Sequence, residues 1–96
     1  QVFNSRGSCF AAVKIDKNLM KGVVQMSTGA WYDPVDPLDE KSPCKNGNPN
    51  VLTPDKGTSM LGQGPIAHTC LINIKLASGN IPSVTAYEPP NIIRNK

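Results

Sequence analysis

The sequence predicts a small, mostly β domain with a long central loop. Three strand-like apolar runs, FAAVKI, GVVQMS and TCLINIKL, flank a segment from Thr28 to Gly64 that shows no sustained helical or strand period. Nine prolines and eight glycines among 96 residues, with only 5% aromatic residues, are typical of an irregular, loop-rich fold. The apolar residues cluster in runs, so disorder is not expected, and the length suits one domain.

The N-terminal residues predict a hairpin. Val2-Phe3 resembles the end of a strand, and Asn4-Ser5-Arg6-Gly7 is a turn signal, because Asn4 can bond its own backbone and Gly7 can take a positive φ. Residues 8–15 alternate imperfectly and predict the second strand. The chain opens without an initiator Met, and we interpret its start as a cut within a larger protein.

A turn, a strand and the start of the central loop come next. Asp16-Lys17-Asn18 predicts a turn, and Leu19 to Gly22 is a short connector. Val23 to Ser27 is rich in β-branched residues and predicts a strand. The Trp31-Tyr32 pair is either a packed lid or a wall of a ligand pocket, since both rings combine a large apolar area with a polar handle.

An acidic, proline-containing stretch follows from Asp33 to Glu40. Its oxygen ligands would suit calcium, but its two prolines forbid the turn of an EF-hand loop. Proline also pushes the residue before it out of the α region. We therefore predict a series of extended turns with solvated carboxylates, and calcium binding remains an alternative.

The second half of the loop is rich in asparagine. Asn46-Gly47 predicts a tight turn, and the side chains of Asn46 and Asn48 are expected to cap turns. Asn50, before the apolar Val51-Leu52, is the better candidate for an inward-pointing amide. Carboxamides match the alternating donors and acceptors on the edge of a pterin or a guanine.

A further carboxamide, Gln63, stands between Gly62 and Gly64, where a backbone could approach a ligand closely. Pro65 interrupts the segment, so it is not a phosphate-binding loop followed by a helix. His68 then precedes Thr69 to Leu76, which predicts a strand. A lone histidine at a strand entrance is more often structural than catalytic.

Composition weighs against several classes of function. Ten basic and seven acidic residues give a net charge of +3, but no basic stripe with interleaved aromatics is present, so nucleic acid is not an expected partner. Neither a signal peptide nor an apolar run long enough for membrane insertion is visible.

The three cysteines are widely spaced and the chain holds one histidine, which does not support a zinc site or a disulfide framework. Cys9 and Cys70 lie in apolar runs and are predicted to be buried, whereas Cys44 lies in a polar loop and is predicted to be more exposed.

Three segments carry a family resemblance: GVVQMSTGAWYDP, CKNGNPNVLTPDKGTS and LGQGPIAHT. They closely resemble the C-terminal portion of bacterial trimethylamine N-oxide, dimethyl sulfoxide and biotin sulfoxide reductases, which are molybdenum enzymes. The likeness runs from Val2 to about Lys75, and the turn Asn4-Ser5-Arg6-Gly7 resembles the family's Asn-Asp-Arg-Gly, with Ser5 departing.

The resemblance implies a molybdopterin dinucleotide-binding domain, which this family builds as a six-stranded double-psi β-barrel. The family's first barrel strand and the helix after it have no counterpart here, so the barrel is expected to be N-terminally incomplete. On this interpretation residues 1–76 are the partial domain, with the long loop as an excursion, and residues 77–96 are a C-terminal extension that lies over the domain or beyond it.

The resemblance also implies a cofactor, bis(molybdopterin guanine dinucleotide) molybdenum, bound in the context of the full-length enzyme. Gly62 stands where relatives usually have Ala, and His68 where they often have Gln. Neither a catalytic residue nor a molybdenum ligand is assigned in this chain, and the isolated chain is expected to be inactive. The residues expected to bind the cofactor are Trp31, Asn50, Gln63, Gly62, Gly64 and His68.

The parent enzyme would take an oxygen atom from an N-oxide or S-oxide. The implied partners are upstream domains of the same polypeptide and an electron donor such as a c-type cytochrome. The implied compartment is the periplasm, or the cytoplasm for an enzyme of the biotin sulfoxide type. Two alternatives stay open. One is a non-catalytic ligand- or calcium-binding β module. The other is a small autonomous enzyme on a related barrel, such as a pyruvoyl decarboxylase, which would cleave itself at Gly7-Ser8, the only Gly-Ser pair.

Overall fold

The computed structural model of the chain describes residues 1–95; Lys96, the last residue of the predicted extension, lies outside the described residues. Its regular elements are β1 (Val2–Phe3), β2 (Ser8–Cys9), a 3₁₀ helix (Pro49–Val51) and β3 (Asn73–Ile74). The strands form one antiparallel sheet in the order β2-β1-β3. This agrees with the predicted mostly-β class. No helix in the described residues is long and apolar enough to cross a membrane.

The N-terminal hairpin is confirmed. Val2 pairs with Cys9, and the Asn4 N–H donates to the Gly7 carbonyl at 3.0 Å to close the turn. The Asn4 side-chain Oδ1 also accepts from the N–H groups of Arg6 (2.9 Å) and Gly7 (3.3 Å), as expected for an asparagine that begins a turn. The turn was therefore predictable from local side-chain chemistry.

Gly7 is needed for a different reason from the predicted one. Its φ is not positive, but a Cβ atom on Gly7 would lie 2.7 Å from the carbonyl oxygen of Val51. Glycine here permits the close approach of two backbone segments rather than a left-handed turn.

The predicted strands are much longer than the observed ones. Of residues 8–15 only Ser8–Cys9 is a strand, of residues 69–76 only Asn73–Ile74, and Val23 to Ser27 forms none. A strand needs a hydrogen-bonded neighbour, and the remainder of these runs has no pairing strand in the described part of the chain. Many of their apolar side chains stay in solvent, such as Val23 (48% exposed) and Leu71 (92%), whereas Met26 and Ile72 pack partly against the core.

A small core holds the sheet to the loops. Its buried apolar residues are Val2, Cys9, Cys44 and Leu52, with Met26, Val51, Cys70 and Ile72 packed partly against them. The Asn4 Nδ2 group adds polar links, since it donates to the carbonyl oxygens of Leu52 at 2.8 Å and Leu71 at 3.1 Å. One side chain thus joins the hairpin to two segments that are distant in sequence.

The prediction that Cys44 is more exposed is wrong, because its side chain has no exposed surface. Its backbone pairs with β2: the Cys44 N–H donates to the Ser8 carbonyl at 3.0 Å, and the Cys44 carbonyl accepts from the Phe10 N–H at 2.9 Å. This pairing brings the thiol into the core beside Cys9, which is buried as predicted. Cys70 is only half-buried.

Candidate functional site

Trp31 lies on the surface of the central loop. Its side chain is 64% exposed, and its ring packs against Tyr87 with the ring centroids 5.5 Å apart and the planes inclined by 36°. This geometry is an ordinary tilted aromatic pair. Such exposure does not suit a lid packed over a core, and leaves part of the indole available to a ligand.

Asn46 ties the backbone of Trp31 to the C-terminal segment. Its Nδ2 donates to the Trp31 carbonyl oxygen at 2.9 Å and to the Tyr87 hydroxyl oxygen at 3.4 Å. The prediction that the Asn46 side chain caps a turn is therefore wrong. The same prediction for Asn48 is confirmed, since its Oδ1 accepts from the Asn50 N–H at 2.9 Å and caps the 3₁₀ helix.

Asn50 lies within that 3₁₀ helix and is exposed rather than inward-pointing. Its backbone groups are used, because the carbonyl accepts from the Thr53 hydroxyl at 3.4 Å. Its side-chain amide makes no hydrogen bond to the rest of residues 1–95, so both its donor and its acceptor are open to a ligand.

Gln63 lies in a closed loop. The ends of the loop pair as an isolated bridge between Gly57 and Pro65, and the Thr58 N–H donates to the Gly64 carbonyl at 2.6 Å. Gln63 itself has a φ of 52°, the only positive value at a non-glycine position in the described residues. Its Nε2 donates to the Met60 carbonyl at 3.0 Å, so Oε1 remains available as an acceptor.

Of the two glycines beside Gln63, Gly62 is tightly placed against a hydroxyl group and Gly64 is not. A Cβ atom on Gly62 would lie 3.0 Å from the Ser59 Oγ, which already accepts from the Gly62 N–H at 2.7 Å. A Cβ atom on Gly64 would meet the Thr58 Oγ1 at 3.5 Å, an ordinary contact. His68 follows on the exposed surface.

The structure places the six predicted residues on three surface segments. No hydrogen bond or ring contact within residues 1–95 joins Trp31, Asn50 and Gln63 directly. Two clefts lie elsewhere: one of about 880 Å³ between segments 11–26 and 74–81, and one of about 480 Å³ that includes Ala30 and Asn46. None of the six residues lines either cleft.

The most heavily bonded acid is Asp33, which the sequence predicted to be solvated. It is buried, and its carboxylate accepts from the Thr85 N–H at 2.7 Å, the Thr85 hydroxyl at 3.0 Å and the Ala86 N–H at 2.9 Å. The Lys45 Nζ lies 3.6 Å from Asp33 Oδ1. The prediction of a solvated carboxylate was wrong because Thr85 is 52 positions away from Asp33 in the sequence, and no local pattern indicates such a pairing.

These contacts decide the ionisation of Asp33. Burial opposes the charged form, but the hydrogen bonds from Thr85 and Ala86 and the nearby Lys45 together outweigh it, so the pKa lies below its ordinary value. Asp33 is therefore a buried carboxylate that anchors the segment around Thr85 on the central loop.

The rest of the acidic stretch behaves as predicted. Asp36 and Asp39 are exposed and begin turns, since their Oδ1 atoms accept from the N–H groups of Leu38 and Lys41, both at 2.9 Å. The described residues contain no group of three or more histidine, cysteine, aspartate or glutamate side chains placed to hold a metal ion.

Comparison with known proteins agrees with the family resemblance. Residues 1–71 match the model of the family described as "Molydopterin dinucleotide binding domain", that is, the molybdopterin dinucleotide-binding domain. The chain is 44% identical over 90 residues to trimethylamine-N-oxide reductase of Salmonella typhi, which covers 94% of the chain and 11% of the relative. No solved structure matches.

Two further relatives are from Cereibacter sphaeroides. Its dimethyl sulfoxide/trimethylamine N-oxide reductase is 39% identical over 90 residues (94% of the chain, 11% of the relative). Its biotin sulfoxide reductase is 41% identical over 80 residues (83% of the chain, 10% of the relative). The chain thus spans about a tenth of the length of these relatives. Since the family match covers most of the chain, the chain belongs to the molybdopterin dinucleotide-binding domain family.

Proposed function

We propose that this chain holds the molybdopterin guanine dinucleotide of a molybdenum oxidoreductase that reduces N-oxides or S-oxides by oxygen-atom transfer. The single observation that carries the proposal is the extended identity, 39–44% over 90 residues, to reductases acting on these two kinds of oxide. The alignments run beyond the family match at residue 71, so they include the C-terminal segment that packs on the central loop.

The exposed side chains fit the organic part of such a cofactor. The partly free indole of Trp31 offers a flat apolar surface for a fused ring. The Asn50 amide has both a donor and an acceptor open, and Gln63 has an open acceptor in Oε1. This mixture suits the edge of a pterin or a guanine, which carries donors and acceptors side by side.

The backbone at Gln63 supports a ligand-binding role for its loop. A non-glycine residue in the left-handed region costs on the order of 1 kcal/mol, and such residues cluster at functional sites. The flanking Gly62 and Gly64 let a ligand approach the main chain, and exposed His68 lies next to this loop in sequence. We assign the three residues 62–64 and His68 to the same binding surface.

In this proposal the chain binds and orients, and it supplies no catalytic residue. Trp31 packs against a ring of the cofactor, while the amides of Asn50 and Gln63 hold the ring edge in one orientation. When bound, the molybdenum centre supplies the two-electron redox chemistry of oxygen-atom transfer. The metal ligand and the substrate pocket would come from other domains.

We further propose that the chain completes a double-psi β-barrel together with upstream domains of the same polypeptide. The support is the apolar cleft between segments 11–26 and 74–81, whose lining includes exposed Val13, Ile15 and Leu76 (83%, 88% and 94% exposed). Exposed apolar side chains that lie together on a soluble protein are a feature of interaction surfaces. An electron donor such as a c-type cytochrome would act on the whole enzyme, in the periplasm for the N-oxide type or the cytoplasm for the biotin sulfoxide type.

Cofactor content tests the proposed function. In the reductase that contains this chain, Asn50→Ala and Gln63→Ala should each lower the molybdenum and the guanine nucleotide recovered per enzyme by several-fold. Asn91→Ala is the matched control, because Asn91 is an exposed amide outside both clefts whose side chain makes no hydrogen bond within residues 1–95. Cofactor content equal to the control in both variants would show that these amides do not bind it.

A further inference from the structure

The C-terminal segment meets the candidate cofactor surface at Trp31. The Tyr87 ring is the aromatic neighbour of the indole in the described residues, at 5.5 Å between centroids. Tyr87 is itself 68% exposed, so the pair projects from the surface rather than filling a core. An exposed aromatic pair of this kind contributes little to the stability of the fold, so stability alone does not explain the contact.

The position of Tyr87 is determined by the residues just before it. The Asp33 carboxylate accepts three hydrogen bonds from Thr85 and Ala86, all between 2.7 and 3.0 Å. Hydrogen bonds to an ionised carboxylate are about twice as strong as those between neutral groups, and here the carboxylate is buried. The segment that contains Thr85 and Ala86 is thus fixed on the central loop at Asp33, which lies two residues after Trp31 in the sequence.

Asn46 closes the arrangement from the other side. Its Nδ2 donates both to the Trp31 carbonyl and to the Tyr87 hydroxyl, at 2.9 and 3.4 Å. The backbone of Trp31 and the ring that packs against its indole are therefore held by the same amide. Lys45, next to Asn46, contributes the ion pair with Asp33 at 3.6 Å.

We propose that Tyr87 is a positioning residue for cofactor binding: anchored through Thr85 and Ala86 on Asp33, it holds the Trp31 ring in the orientation that receives the cofactor. This inference rests on the proposed function. An exposed indole on a loop samples several rotamers, and a binding partner must pay for ordering it. A neighbour that restricts the ring beforehand makes the surface preorganised.

Trp31 is the only tryptophan, so fluorescence of the 96-residue chain reports the contact directly. Tyr87→Ala should raise acrylamide quenching of Trp31 and lower its anisotropy, and Asp33→Asn should move both in the same direction. Tyr87→Phe keeps the ring and the anchor at Asp33, loses only the 3.4 Å hydrogen bond from Asn46, and should lie nearer the parent chain than Tyr87→Ala. Tyr32→Phe is the control, because the Tyr32 hydroxyl makes no hydrogen bond within residues 1–95. Unchanged quenching and anisotropy in Tyr87→Ala would overturn the inference.

The functional arm uses the reductase that contains this chain. Aromatic pairs contribute about 0.5–1.5 kcal/mol beyond burial, so Tyr87→Ala should speed cofactor release roughly two- to tenfold, with recovery in Tyr87→Phe. Asp39→Ala serves as the structural control, since it removes the hydrogen bond of an exposed turn in the same loop and no contact of Trp31 or Tyr87. Cofactor release as fast in Asp39→Ala as in Tyr87→Ala would mean a structural effect only and would overturn the inference.

Trp31→Ala separates this inference from the proposed function. Faster cofactor release in Trp31→Ala but not in Tyr87→Ala would refute the positioning role and leave the proposed function standing. Unaltered release in Trp31→Ala would remove Trp31 from the binding surface and would refute the positioning role with it, while Asn50→Ala and Gln63→Ala would still test the proposed function. Faster release in both, with recovery in Tyr87→Phe, would support the positioning role.

Discussion

Replacing Asn4 with aspartate should separate the long-range bonds of this residue from its role in the turn. The Asn4 Oδ1 accepts from the N–H groups of Arg6 and Gly7, and a carboxylate oxygen can do the same. The Nδ2 instead donates to the carbonyl oxygens of Leu52 at 2.8 Å and Leu71 at 3.1 Å. In Asn4→Asp this donor becomes an acceptor that faces two other acceptors, whereas the turn keeps its hydrogen bonds.

The expected loss of stability follows from the two hydrogen bonds removed at Leu52 and Leu71 and from the repulsion between the new carboxylate and these carbonyl oxygens. Each hydrogen bond is worth about 1 kcal/mol net, and an acceptor left without a donor in a partly buried site adds to that loss. We expect Asn4→Asp to lower the free energy of unfolding by about 2–4 kcal/mol. A chain of this length has a total of about 5–14 kcal/mol, and a core with four buried apolar residues puts it near the lower end. The variant should therefore lose a large part of its stability.

The assay is urea denaturation of the 96-residue chain, followed by the dispersion of its amide resonances. Asn80→Asp is the matched control, since it makes the same charge change at an exposed position whose side chain is not hydrogen-bonded within residues 1–95. Lowering the pH through about 4 should reduce the difference between the urea midpoints of the two variants, because the carboxyl group introduced at position 4 regains one hydrogen-bond donor when it is protonated. A midpoint for Asn4→Asp equal to that of Asn80→Asp would refute the idea that Asn4 links the hairpin to the core.

Three further outcomes are expected. Folding lowers the pKa of Asp33, so its carboxylate stabilises the fold above about pH 4. This contribution is lost as the pH falls toward the folded-state pKa. The urea midpoint should therefore fall less steeply with acidification in Asp33→Asn than in the parent chain. Gly7→Ala should destabilise the chain by about 1–3 kcal/mol, since its Cβ would lie 2.7 Å from the Val51 carbonyl oxygen, and a urea midpoint unchanged from the parent would contradict this. In alkylation followed by mass spectrometry, half-buried Cys70 should react well before Cys9. The pKa of the Cys9 thiol is raised by burial and by the neighbouring thiol of Cys44, which disfavours the reactive thiolate. Equal alkylation rates of Cys70 and Cys9 in the folded chain would contradict the buried core.

Local chemistry was sufficient to predict some of the turns, though not the role of the Asn46 side chain. The Asn4-Ser5-Arg6-Gly7 turn and the Asn48 cap were both predictable, because each depends on a side chain and a backbone group only two or three residues apart. The strands were not, because a strand depends on a partner. Val23 to Ser27 has the β-branched composition of a strand, yet it finds no pairing segment within residues 1–95.

For the candidate site, the identity of the residues was predictable from the sequence, but their exposure and free atoms were not. Trp31, Asn50 and Gln63 were chosen by their side-chain chemistry and by the family resemblance, and the structure places all three on the surface without bringing their side chains into contact. Exposure and open hydrogen-bonding groups at these positions could not be derived from composition, since they depend on how the loops fold around the core. The sequence thus predicts which residues to test, and the structure adds which of their atoms are free.

Asp33 shows why the remaining part of the site was missed. Within its own segment it stands before a proline among other acids, and every local feature favours a solvated turn. What buries it is the approach of Thr85 and Ala86, whose two N–H groups and one hydroxyl replace the water that a carboxylate would otherwise need. The same three bonds determine where Tyr87 lies, and therefore what packs against Trp31. The acid that looked farthest from any ligand is the one through which the C-terminal segment reaches the candidate cofactor surface.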